Sequence, residues 1–196
     1  LSKVVPSVQA EVDRLTKQGI NKIVLLSHCG YDVDLKIANQ LNGVDVIVGG
    51  HSHSLLGTLQ GPGIPRPLGA YPTMVEEPAE PEKLVSSKGK IKTLVVQAWE
   101  WGKVVGSLGV RFNAEGEILS VTDAKTVLVD NSFPEDPLVK GAVDAFAVPI
   151  AAVRKAVVGN TADALGQGPL GNRRGEGAIG NAICDAMLEA VRPLGA

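Results

Sequence analysis

The sequence has little of several residue types that would point to a particular class of protein. Only two of its 196 residues are cysteines, too few for a disulfide framework, so the redox compartment stays open. Lys and Arg total 19 against 21 Asp and Glu, and this lack of a basic excess argues against a nucleic-acid polymer or an anionic membrane as partner. No apolar run approaches the ~18 residues of a membrane span, and no signal peptide is visible. With 44% hydrophobic and 20% charged residues, the composition is that of an ordinary globular protein with a buried core.

Histidine is also scarce, but its three copies are not scattered. His28 follows the apolar run Ile23–Leu26, while His51 and His53 follow the run Val44–Val48 within "GVDVIVGGHSHSLLG". Both runs have the length and composition of buried strands. The histidines therefore stand just beyond the ends of two predicted strands.

Apolar spacing predicts the order helix, strand, helix, strand at the start of the chain, which implies a parallel pair of strands. The Gly- and Pro-rich stretch 57–81 predicts a long loop, and Thr93–Ala98 a third strand. The predicted helices span Val5–Lys17 and Asp32–Leu41, and a predicted antiparallel hairpin joins Val104–Asn113 to Ile118–Val129.

The remaining third of the chain has a different organisation. Pro134–Ala156 predicts a helix that Pro149 must kink or split. "VVGNTADAL" predicts the start of a strand, and Glu176–Val191 a helix with Cys184 as a buried core thiol. We predict three parts, with residues 1–132 as one domain, 133–157 as a connector helix and 158–196 as the start of another domain.

Histidines after neighbouring parallel strands emerge at the same carboxyl edge of the sheet, where open α/β sheets place their sites. A polar loop with incidental histidines is the plainer explanation, but all three histidines of the chain lie at these two strand ends. Neutral imidazole binds Zn, Mn, Fe, Co or Ni, so a metal site is predicted. The absence of Cys₂His₂ spacing argues against a structural zinc finger.

Five separated motifs resemble one known family. "SHCGYDVDLKIA", "GVDVIVGGHSHSLL", "VVQAWEWGKVVGSLGVRF", "VVGNTADAL" and "NRRGEGAIGNAICDAML" occur in the order found in 5'-nucleotidases and UDP-sugar hydrolases of the calcineurin-like metallophosphoesterase superfamily. The resemblance implies an α/β fold: the C-terminal half of a metallophosphoesterase αββα sandwich, a connector helix, and the start of the nucleotide-binding C-terminal α/β domain.

The resemblance also implies a hydrolase that uses two divalent metal ions of the Zn, Mn, Co or Mg class to cleave nucleotide phosphomonoesters. By motif, His28 and His51 would bind one ion and His53 the other. Arg173, before "GN", matches the family's phosphate-contacting arginine, although a solvated loop arginine is the alternative. Trp101 and Lys103 of "EWGK" are interpreted as packing and strand-end residues.

Several motifs of the family are missing from the sequence. Asp-x-His, Gly-Asp and Gly-Asn-His-Asp/Glu, which supply the other metal ligands and the catalytic histidine, do not occur in it. Together with a first residue other than Met, this leads us to expect an internal segment that lacks N- and C-terminal parts of the same protein. We therefore expect little or no activity from this chain alone, and no catalytic residue is assigned.

Other functions fit the same pattern. The substrate could be a 5'-nucleotide, a UDP-sugar or a 2',3'-cyclic nucleotide, or a thiosulfate-carrying protein as in the related thiosulfohydrolase branch. A non-catalytic metal- or nucleotide-binding module is the alternative from another class. The family further implies a periplasmic, extracellular or cell-surface location.

Overall fold

The computed structural model describes residues 1–76, 91–157, 159–166 and 175–194. The chain divides into two compact units, Leu1–Pro134 and Glu135–Ala196. The predicted three-part domain limits remain a prediction. The first unit contains helices α1 (Val4–Lys17) and α2 (Tyr31–Gln40), and strands β1 (Val24–Leu26), β2 (Val46–Val48), β3 (Thr73–Glu76), β4 (Ile91–Val96), β5 (Val104–Phe112) and β6 (Ile118–Leu128).

Four strands form a sheet in the order β1-β2-β4-β3. Strand β1 pairs with β2 in parallel, and β2 pairs with β4 in parallel, which confirms the predicted parallel arrangement. The prediction of one long loop over 57–81 was wrong, because β3 lies within it and pairs antiparallel with β4. Pairing with the next strand along the chain makes this segment extended, and the Gly- and Pro-rich composition around it gave no sign of that pairing.

Side chains that alternate along the central strands fill two apolar layers on opposite faces of this sheet. Ile47 and Val95 face Val12 of α1 and Ile37 of α2. The residues next to them in the same strands point to the opposite face of the sheet. Leu94, for example, packs against the β5–β6 hairpin. This period of two follows from strand geometry, and it requires apolar residues on both faces, as in β2 and in Leu94–Val96 of β4.

The second unit contains α3 (Pro137–Lys155), α4 (Ala178–Val191) and a 3₁₀ turn at Arg192–Leu194. Helix α3 begins at the Asp136 cap and continues through Pro149, so of the two predicted outcomes the split was wrong and the kink stays a prediction. A proline removes only one N–H donor from the helical ladder.

Two further predictions for this unit were wrong. The described residues of "VVGNTADAL" form no strand. Cys184 is exposed rather than buried, because none of the residues of α4 is buried. An apolar helix sequence therefore did not indicate a buried helix here. Across the described ranges, no helix has the length and apolar character needed to cross a membrane.

Candidate metal centre

His28 and His51 meet at the carboxyl edge of the parallel strands. Residues Leu26 and Val48 are paired at the ends of β1 and β2, and Ser27 N–H extends the ladder by donating to Val48 O at 2.9 Å. His28 is therefore the first residue beyond the paired backbone on its strand. The two imidazole rings lie edge to face with centroids 5.3 Å apart. The predicted adjacency of these two histidines is observed.

The loop between β2 and His51 passes unusually close to its neighbours. A Cβ at Gly50 would lie 3.0 Å from His28 Nδ1, closer than an ordinary van der Waals contact. His51 itself has φ 69°, in the left-handed region that a non-glycine residue rarely adopts. The glycine thus lets the backbone carry His51 to the ring of His28.

The serines of "HSHS" fix this loop from inside. Ser52 Oγ accepts the N–H of Tyr31 at 3.0 Å, at the N-terminus of α2, and lies 2.8 Å from Ser54 Oγ. Gln97, just after β4, accepts the backbone N–H of Ser54 and donates to Gly50 O at 2.9 Å. In this alternating motif the histidines are exposed, whereas the serines form the hydrogen bonds that connect the loop to the sheet and to α2.

A buried carboxyl lies directly beneath the loop. Asp34 is fully buried; its Oδ1 accepts the Ser27 hydroxyl at 2.5 Å, while Oδ2 has no hydrogen-bond partner among the residues that the structure describes. A Cβ added to Gly49 would overlap this Oδ2 atom. Burial raises the pKa of Asp34, and the Ser27 hydrogen bond offsets part of that rise. Sequence reasoning gave Asp34 no role.

His53 contacts the "EWGK" turn. Its Nδ1 is 2.9 Å from Glu100 Oε2, and its ring meets Trp101 edge to face at 5.6 Å. Lys103 Nζ is 2.6 Å from Glu100 Oε1. The Lys103 hydrogen bond is the main cause that lowers the pKa of Glu100. Trp101 and Lys103 are thus neighbours of His53, and so is Glu100, which no pattern in the sequence singled out.

The donor chemistry fits a divalent ion only in part. Two exposed imidazoles at one sheet edge suit a borderline metal such as zinc. Among the described residues, however, no group of three or more His, Cys, Asp or Glu side chains is placed to hold an ion. Since a zinc site usually has four ligands, any metal bound here needs donors beyond this pair. Arg173, the predicted phosphate ligand, lies outside the described residues.

Known proteins share both the sequence and this architecture. The chain is 35% identical over 184 residues to the 5'-nucleotidase of Homo sapiens, an alignment that covers 94% of the chain and 30% of the relative. It is 44% identical to the solved 5'-nucleotidase precursor of Thermus thermophilus, with a TM-score of 0.77 over 98% of this chain and 36% of that one. The NAD nucleotidase of Haemophilus influenzae is 30% identical, with a TM-score of 0.51 over 74% of this chain and 29% of that one. No protein-family model matches.

These similarities define first a class, the metallophosphoesterase-type α/β proteins, and confirm the predicted fold class. Within that class, the predicted resemblance to the 5'-nucleotidase family is confirmed over nearly the whole chain. The chain spans about 30% of the length of the human relative.

Proposed function

We propose that the whole protein hydrolyses nucleotide phosphomonoesters, as a 5'-nucleotidase or UDP-sugar hydrolase, with two divalent metal ions. The observation that carries this proposal is the His28–His51 pair at the carboxyl edge of a fold shared with 5'-nucleotidases. Such ions polarise the phosphoryl oxygens and activate water. The proposed location is periplasmic, extracellular or at the cell surface, and a similar protein that is a snake venom 5'-nucleotidase supports the extracellular alternative.

The residues of this chain have distinct roles in the proposal. His28 and His51 hold one ion through neutral imidazole nitrogens, and His53 supplies a nitrogen to the other. Ser52, Ser54 and Gln97 hold the loop that carries two of these ligands. Arg173 binds the phosphate of the substrate, because a planar guanidinium offers two parallel donors to phosphate oxygens.

Metal content tests the binding part of this proposal. The purified chain is loaded with Zn²⁺, dialysed and analysed for bound metal, alongside His51→Ala and the control Glu115→Ala. Glu115 carries an exposed carboxylate in the β5–β6 turn, away from the histidines. We expect the His51 variant to retain less zinc and the control to retain as much as the wild type. Equal retention in all three proteins would reject the site.

Phosphate release tests the catalytic part. We expect the 196-residue chain to release little or no phosphate from AMP, because the described residues bring together only part of a two-metal ligand set. A longer protein that contains this chain and the remaining ligands should hydrolyse AMP, and Arg173→Ala should raise its KM. Metal binding without hydrolysis in that longer protein would instead favour the non-catalytic binding module.

A further inference from the structure

We infer that Glu100 is a positioning residue for His53, which it holds as the Nδ1–H tautomer so that Nε2 is free to bind a metal ion. The inference rests on the proposed function in one respect: the metal ion that Nε2 would bind comes from that proposal. The arrangement itself rests on contacts within the first unit: Glu100 Oε2 lies 2.9 Å from His53 Nδ1, and the Glu100 side chain is only 15% exposed.

The partners of the imidazole decide its tautomer. An ionised carboxylate can only accept hydrogen bonds, so Nδ1 must carry the proton in this contact. In a neutral imidazole the other nitrogen, Nε2, then has a free lone pair. Metal-binding histidines commonly donate their second ring N–H to a carboxylate in this way, which fixes the ring and raises its basicity as a ligand.

Glu100 is itself held in place. Its second oxygen, Oε1, lies 2.6 Å from Lys103 Nζ. That ammonium group is 4.5 Å from the ring centroid of Trp99 and 4.7 Å from that of Trp101, within the range of cation–π attraction. A carboxylate fixed on both oxygens cannot swing away from His53, and this distinguishes Glu100 from a surface residue that touches a histidine by chance.

The backbone also joins the turn to the histidine loop. Trp99 N–H donates to Ser54 O at 3.0 Å, and Leu55 forms a bridge with Ala98. His53, Trp99 and Trp101 all have positive φ angles, between 52° and 58°. Non-glycine residues in this region usually persist where the surrounding structure holds them, and they concentrate at functional sites. The "EWGK" turn thus holds His53, the second histidine of "HSH", in place.

The tautomer can be observed directly, without metal and without activity. The chain contains only three histidines, so long-range ¹H–¹⁵N spectra of the labelled, metal-free protein are simple. They are recorded at about pH 8.5, above the usual imidazole pKa. His53 is assigned from the signals lost in His53→Gln. We expect Nδ1–H for His53 in the wild type. Glu100→Ala should shift it toward the Nε2–H form that free histidine favours, and Glu100→Gln, whose amide oxygen still accepts, should restore Nδ1–H.

A matched control separates this effect from a general disturbance. Glu115→Ala removes a distant carboxylate and should leave the His53 signals unchanged. Zn²⁺ titration gives a second measurement, in which Glu100→Ala should lower the affinity of the His53-dependent site about 10–100-fold. An Nε2–H wild type, or a tautomer that is the same in Glu100→Ala, would overturn the inference. The expected tautomers in a longer protein that contains the remaining ligands but binds no zinc would instead reject the proposed function and leave the positioning contact intact.

Discussion

Gly49 and Asp34 provide the sharpest test of how the histidine loop is supported. A methyl group on Gly49 would overlap Asp34 Oδ2 and come within 3.1 Å of Gln97 Nε2. Gly49 is not among the residues with positive φ, so alanine meets no backbone penalty there. The effect of Gly49→Ala is therefore a packing effect alone. Overpacking of this kind costs about 1–3 kcal/mol of unfolding free energy.

The second substitution identifies the group responsible. Asp34→Ala removes the carboxyl that the new methyl group would meet, so the double variant should be more stable than the sum of the single effects predicts. We expect a coupling energy of about 1 kcal/mol or more, which is typical of residues in direct contact. Urea unfolding followed by circular dichroism gives the four free energies of the cycle.

Asp32 supplies the matched control, because it lies on the exposed side of the same helix. Combining Gly49→Ala with Asp32→Ala should give additive effects within about 0.3–0.5 kcal/mol. If the Asp34 pair were equally additive, the reasoning would be refuted: Gly49 would then be required for something other than its contact with the buried carboxyl.

The remaining predictions concern pH dependence, the core and helix α3. Because burial raises the pKa of Asp34, the folded protein keeps its proton to a higher pH than the unfolded chain does. The unfolding free energy should therefore fall as pH rises from the ordinary carboxyl pKa through the raised one. This fall should be smaller in Asp34→Asn when the two pH profiles are compared, with the pKa of Asp45, which burial also raises, still contributing. Leu94→Ala should cost about 2–5 kcal/mol in urea unfolding, because Leu94 is fully buried in a central strand. The conservative Leu94→Met should cost much less, and equal losses would contradict the cavity explanation. Gly141→Ala should stabilise α3 by about 0.5–1 kcal/mol, since a methyl group there meets no atom within 4 Å. An unchanged or lowered melting temperature of Gly141→Ala would contradict this expectation.

The sequence predicted the sheet edge correctly because apolar runs and helical spacing are local signals. Short apolar runs before His28 and His51 indicated strands, and the helix between them required a parallel pair. The burial predicted for the first run was wrong: β1 lies at the edge of the sheet, and its Val24 and Leu26 side chains are exposed. The meeting of these two histidines followed from that topology alone. Five motifs in order also sufficed to predict the family resemblance.

Predictions failed where the structure of a segment depends on its pairing or packing with other elements. Strand β3 exists through its pairing with β4, and nothing in its Gly- and Pro-rich surroundings indicated this. The apolar sequence of α4 suggested that Cys184 is buried, yet the helix has no buried residue. Burial is decided by which elements pack together, and the hydropathy of one element does not contain that information.

The candidate site shows the same division. By itself the sequence determined which residue types stand at the two strand ends, because strand periodicity and chain order are local properties of the sequence. Only the tertiary structure decided that Asp34 lies beneath the glycine loop and that Glu100 reaches His53. The first contact joins helix α2 to the loop after β2, and the second joins that loop to the turn after β4, so both depend on how separate elements pack together.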